Sequence, residues 1–160
     1  MKKLNFTTTN ESQTRLLGEN IGSLLMPGTG VLFEGELGAG KTTMISGICS
    51  SLSIKEEVKS PTFVLAWVYR GICPIYHIDL YRLHQYEDLE NIGWEEIAEE
   101  SNIYLVEWAD KFSLPYTENA VRIIMTLGNQ LNERYISIEF DETLHPHLER
   151  ALKTYVDIGN

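Results

Sequence analysis

The sequence predicts an α/β domain in three layers: a mixed central sheet, parallel in its core and antiparallel at its edge strands, with helices on both faces. Three observations predict it. The apolar run Val31-Leu32-Phe33 passes through a glycine-rich turn directly into a helical pattern over residues 43–49. A second continuous apolar run, residues 103–106, ends on the carboxylate of Glu107, as a buried parallel strand does when it delivers an acid to the ligand side of a sheet. Two alternating stretches, Val121-Ile123-Met125-Leu127 and Ile136-Ile138-Phe140, lie on either side of the polar connection 128–132 and form an antiparallel pair.

In chain order, residues 2–8 alternate weakly and end in threonines, which fits a short edge strand. Thr9 or Asn10 caps a helix whose apolar face carries Leu17, Ile21, Leu24 and Leu25, and the turn cluster Pro27-Gly28-Thr29-Gly30 stops it. A charged connection over 55–59 leads into a strand over 64–69, and Arg70-Gly71 turns the chain back into a second strand, 74–79, ending on Asp79. Residues 87–100 place seven acids around Leu89, Ile92 and Ile97, with Gly93 dividing two short helical pieces. That stretch is a solvated amphipathic face or, alternatively, a docking face for a basic partner. A last helix enters near Pro146 and carries Leu148, Ala151 and Leu152.

A chain of 160 residues suits one domain spanning 1–160 rather than two, and 43% hydrophobic with 22% charged residues places it among ordinary globular proteins. There is no basic-then-apolar leader at the N-terminus and no apolar run approaching the ~20 residues that span a bilayer, so a cytoplasmic location without membrane contact is expected. Cys49 and Cys73 lack metal-ligand spacing and are expected to be buried apolar residues, and His77, His84, His145 and His147 form no zinc pattern. The net charge of −10 argues against a surface that grips nucleic acid by its phosphates.

Residues 35–42 read Gly-Glu-Leu-Gly-Ala-Gly-Lys-Thr, the G-x-x-x-x-G-K-[ST] pattern of a phosphate-binding loop between strand and helix. The motif makes the predicted domain P-loop NTPase-like. Gly38 and Gly40 permit backbone angles that let the N–H groups of residues 36–43 (Glu36, Leu37, Gly38, Ala39, Gly40, Lys41, Thr42 and Thr43) turn toward phosphate oxygens. The helix N-terminus adds partial positive charge, Lys41 an ammonium for the β- and γ-phosphates, and Thr42 a hydroxyl for Mg2+. Such a cation needs further oxygen ligands, and the strand ends offer Asp79 and Glu107. Either acid has a plainer reading, as a turn cap or a surface carboxylate. Trp108 is a core aromatic or a wall of the nucleotide pocket.

The segments 35–43, Ser60-Pro61-Thr62-Phe63, His77-Ile78-Asp79-Leu80-Tyr81-Arg82 and Val106-Glu107-Trp108 together resemble the TsaE family, formerly YjeE, the P-loop ATPase of the bacterial machinery that makes threonylcarbamoyladenosine in tRNA. The resemblance runs from the first helix to about Phe140. It implies ATP or ADP with Mg2+ as ligands, Mg2+ held by Thr42 and Glu107 with Asp79 close by, and a switch at 60–63 in which Thr62 senses the γ-phosphate. It also implies Trp108 beside the nucleotide, and adenine between the segment around Asn10 and a late polar residue such as Arg134. The implied partners are TsaD and TsaB, with tRNA held only through that complex and the ATPase cycle resetting it between rounds. Lys41, Asp79 and Glu107 would be the catalytic set.

Two other classes share the motif. A small-molecule kinase usually closes an arginine-bearing lid over its substrates, whereas Arg70 and Arg82 are the only arginines between the loop and Glu107. A nucleotide-gated binding module without turnover uses the same site residues. A guanine-specific switch is disfavoured by the lack of an Asn-Lys-x-Asp base-reading motif.

Overall fold

The computed structural model describes residues 1–58 and 65–158. The expected switch at 60–63, including Thr62, and the first residue of the strand expected over 64–69 lie outside the described residues. Among the described residues seven strands form one sheet: β1 Lys2–Thr8, β2 Gly30–Glu34, β3 Ala66–Arg70, β4 Pro74–Asp79, β5 Ile103–Glu107, β6 Val121–Leu127 and β7 Arg134–Phe140, in the spatial order β1-β7-β6-β2-β5-β4-β3. The pairs β6–β2, β2–β5 and β5–β4 are parallel, and β1–β7, β7–β6 and β4–β3 are antiparallel. A parallel core with antiparallel flanks is the predicted arrangement.

Strand alternation sorts the side chains into two cores. Val31, Phe33, Ile75, Ile103 and Leu105 point to one face and pack with helices α1 (Glu11–Gly22) and α2 (Lys41–Ser51). Leu32, Ile78, Tyr104 and Val106 point to the other, toward the short helices α3 (Glu87–Asn91) and α4 (Trp94–Ile97). The two-residue period of a strand makes this separation unavoidable once the sheet is covered on both sides. The helix α5 (Pro146–Ile158) buries Leu148 and Leu152 in the first core, and the Tyr155 hydroxyl donates to the Gln13 carbonyl of α1 at 3.0 Å.

The helices α1 and α2 approach closely through glycine. A Cβ on Gly18 would sit 2.3 Å from the Met44 carbonyl oxygen, and one on Gly47 would sit 2.1 Å from that of Arg15. This contact fixes α2, and hence the loop before it, against the start of α1. The first helix ends earlier than its apolar spacing predicts. After Gly22, Leu24 N–H donates to Ile21 and Leu25 N–H to Gly22, three residues back, so both leucines reach the core from a tight turn outside the helix.

Among the described residues no helix is long and apolar enough to cross a membrane. Cys49 is fully buried as expected, whereas Cys73 is only partly buried beside the turn between β3 and β4, and both thiols are free.

A candidate nucleotide site at the carboxyl edge of the sheet

The sheet topology brings separate parts of the sequence to one edge. The parallel strands β2, β4, β5 and β6 all end there, and a ligand crevice forms outside such strand ends. Because β7 runs antiparallel, its first residue, Arg134, lies at the same edge, opposite Leu127 of β6. The register Thr8↔Arg134 then carries the last residue of β1 there too, with Asn10 two residues further on. The Asn10 side-chain oxygen accepts from Gln13 N–H at 2.9 Å and caps α1.

Between β2 and α2 the chain turns through Gly35, Gly38 and Gly40 at φ of 144°, 80° and 97°, angles that few side chains tolerate. Gly35 has a second constraint, since a Cβ there would lie 2.3 Å from the Met125 carbonyl oxygen. Lys41, the first residue of α2, is 5% exposed, and its ammonium donates to the carbonyls of Gly35 at 2.5 Å and Glu36 at 2.9 Å. The same ammonium lies 4.1 Å from the centroid of the Trp108 ring. Burial lowers the Lys41 pKa from its ordinary value, an effect opposed by the negative charges of Glu107, Asp79, Asp110 and Glu36.

Opposite the loop stand the strand-terminal acids. Glu107 belongs to the same alternating set as Ile103 and Leu105, so it emerges on the face that carries α2, where its Oε1 accepts from the Thr42 hydroxyl at 3.0 Å. Its other oxygen, Oε2, lies 2.8 Å from Nε2 of His77, a residue with no exposed surface. Asp79 pairs with Glu107 in the sheet register, and its Oδ1 accepts the Tyr81 backbone N–H at 2.8 Å. Burial raises the Asp79 carboxyl above its usual range; the Tyr81 hydrogen bond pulls it back and the neighbouring Glu107 pushes it further up. Trp108 follows at φ 59° and stacks at a tilt on Tyr81, with centroids 4.9 Å apart.

Most of these groups line one cleft of about 320 Å³, with His77 and Tyr81 set behind its wall. Of the residues singled out in the sequence, Asn10, residues 37–43, Asp79, Glu107, Trp108 and Arg134 face it, whereas Glu36 contributes only its carbonyl to Lys41. Arg134 donates from Nη2 to the Gly38 carbonyl at 3.0 Å, bracing the loop from the far side of the cleft. Glu11, Thr14 and Asn132 also line it, and the sequence reading did not single them out. Nor did it single out His77, although counting back two from Asp79 places that ring on the face of Glu107.

No group of three or more His, Cys, Asp or Glu side chains among the described residues is arranged to hold a metal ion. The donors present, the Thr42 hydroxyl and the Glu107 and Asp79 carboxylates, are hard oxygens. Such a set suits Mg2+, which commonly takes one or two carboxylates and completes its shell with water and substrate phosphates.

The chain matches the family model described as "Threonylcarbamoyl adenosine biosynthesis protein TsaE" over residues 8–151. It is 39% identical over 126 residues to the tRNA threonylcarbamoyladenosine biosynthesis protein TsaE of Nostoc sp., covering 76% of each chain. To the protein of the same name from Bacillus subtilis it is 33% identical over the full length of both. The crystal structure of Bacillus subtilis YdiB superposes with a TM-score of 0.75 at 27% identity, covering 99% of this chain and 97% of that one.

Proposed function

The chain belongs to the TsaE family, whose role is in the biosynthesis of threonylcarbamoyladenosine in tRNA, and from that premise we propose that it is the ATP-binding, slowly ATP-hydrolysing subunit of that machinery. The observation that carries this reading is the convergence of Lys41, Thr42, Asp79, Glu107 and Trp108 on one cleft beside a glycine-shaped loop.

Each residue has a physical task in this reading. The Lys41 ammonium leaves the Gly35 and Glu36 carbonyls for the β- and γ-phosphates, whose oxygens are stronger acceptors because they are charged. Loop N–H groups and the N-terminus of α2 receive the remaining phosphate charge. Thr42 and Glu107 hold Mg2+, with Asp79 beside them. Bound Mg2+ supplies charge neutralisation between the phosphates and the acids, which would otherwise repel one another. Asp79 and Glu107 orient the attacking water, the Trp108 ring covers the phosphate end, and Thr62 senses the γ-phosphate. Asn10 and Arg134 border the adenine.

With a net charge of −10, the chain is poorly suited to hold tRNA itself. TsaD and TsaB hold the RNA in this reading, and the ATPase cycle resets their complex between rounds in the cytoplasm. The test is ATP turnover by the purified chain in Mg2+ buffer, alone and with TsaD and TsaB from the same organism. Slow turnover alone with strong stimulation by both partners is expected. Nucleotide binding that the partners leave unstimulated would overturn the resetting role, and turnover only in the presence of a phosphate-accepting metabolite would replace it with a kinase.

A further inference from the structure

We propose that His77 is a positioning residue that fixes which oxygen of Glu107 faces the cleft, and so tunes the coupling between Mg2+ and nucleotide. This rests on the proposed function, since it assigns a task within that same site.

Both carboxylate oxygens of Glu107 are already committed, in different directions. Oε1 meets the Thr42 hydroxyl at 3.0 Å, and Oε2 meets Nε2 of His77 at 2.8 Å. A carboxylate accepts, so Nε2 is the donor. The two contacts differ in what can replace them. The Thr42 hydroxyl rotates freely and can offer its lone pairs to a cation, which releases Oε1. His77 lies in β4 with 0% exposure, held between Trp67 of β3 and Leu105 of β5 in the sheet register, and cannot follow. Its Nδ1 is buried and has no hydrogen-bond partner among the described residues, so the ring's polar contact is the one at Nε2. A buried nitrogen left unpaired is unfavourable. An aliphatic residue would fill a core strand position without that penalty, and what histidine adds here is the rigid N–H aimed at Oε2.

The consequence is geometric. With Oε2 tethered, Glu107 presents Oε1 alone to the cleft, next to Thr42. Without the tether the carboxylate can rotate about its last bond and present either oxygen or both. Partners that orient a metal-ligating side chain in this way typically change metal affinity or activity by roughly 10–100-fold when removed.

Two substitutions separate positioning from space filling. His77→Gln carries its amide nitrogen as many bonds from Cα as Nε2, so it can donate to Oε2. His77→Asn ends one bond short. Binding of a fluorescent ADP analogue is titrated with Mg2+ and with chelator, for wild type and both variants, alongside thermal unfolding without nucleotide. The expected result is a metal-dependent gain in affinity that His77→Asn reduces by at least about tenfold and His77→Gln largely keeps, with affinity in chelator within about threefold throughout. A metal-dependent gain unchanged in His77→Asn overturns the proposal, as does an equal loss in both variants or a loss that also appears in chelator. If wild type itself shows no metal dependence, it is the proposed Mg2+ site that fails, and this positioning role fails with it.

Discussion

Thr42 and Glu107, 65 residues apart in the chain, meet through a hydrogen bond of 3.0 Å from the hydroxyl to Oε1. The bond joins the first turn of α2 to the end of β5, so loop and acid are in place before any ligand arrives. Pre-placed charge acts without reorganisation at the moment of reaction. Glu107→Gln keeps the shape and the acceptor oxygen and removes the charge. ATP turnover in Mg2+ is expected to fall by roughly 100-fold, the scale of losing one aimed electrostatic group. ADP affinity in chelator should change little. Turnover retained within about threefold would remove Glu107 from the site's chemistry.

The Lys41 ammonium rests 4.1 Å from the Trp108 centroid while donating to two loop carbonyls. A cation over an indole face gains about 0.5–2 kcal/mol, less than charged phosphate oxygens offer. Nucleotide binding should therefore draw the ammonium off the ring and alter Trp108 emission. Trp108→Phe is expected to abolish the fluorescence change while binding persists by calorimetry, since Trp94 is buried in the α3/α4 core and donates to the Pro115 carbonyl, and Trp67 lies on the edge strand β3, outside the residues that line the cleft. Lys41→Ala should abolish both. An emission change that survives Trp108→Phe would show that the ring does not report on the lysine.

What the sequence disclosed, and what it hid, follows the range of the interactions. The apolar run 103–106 ending in Glu107 and the glycines of the loop are local patterns, and β5 and the turn before α2 stand where those patterns put them. Apolar spacing carries the first helix past its end because Leu24 and Leu25 continue the pattern; what ends it is backbone bonding at Ser23 and Leu24, which hydropathy does not encode. Glu11, Thr14 and Asn132 reach the cleft only because β1 pairs with β7 in the register Thr8↔Arg134, a pairing across the whole chain. Cys73 resembles a core residue by type, yet it sits next to Pro74 at the start of β4, where the sheet gives way to a turn.

Gly35 and Gly38 both have left-handed φ, 144° and 80°, but only Gly35 is crowded. A Cβ at Gly38 meets nothing within 4 Å, so Gly38→Ala should cost only the backbone strain of about 1–2 kcal/mol. Gly35→Ala adds a clash with the Met125 backbone at 2.3 Å, which no rotamer can relieve. It is expected to lower urea-unfolding stability by more than Gly38→Ala and to displace the loop from β6, weakening ADP binding. Equal destabilisation by the two substitutions would mean that β2 and β6 shift apart easily.

Alkaline stability should carry the signature of Cys49. Burial pushes its thiol from an ordinary 9.0 up to about 12, so the folded chain keeps a proton that the unfolded chain has lost. A folded-state pKa above the unfolded value contributes stability that is fully present below pH 9.0 and declines as pH rises toward about 12. Tyr104 behaves alike, but from 10.0 to about 12, and burial also raises the partly buried Cys73 above 9.0, so the interval between the two ordinary values belongs to the two cysteines, with the larger share from the fully buried Cys49. Across that single unit of pH the Cys49 thiol should cost about 1 kcal/mol of unfolding free energy, approaching 1.4 kcal/mol per unit above it. Cys49→Ala will lower stability at neutral pH by leaving a small cavity, yet its urea midpoint should fall less steeply than that of wild type over the same interval. Parallel pH profiles would mean that the thiol ionises in place, and that water reaches the packing between α2 and the sheet.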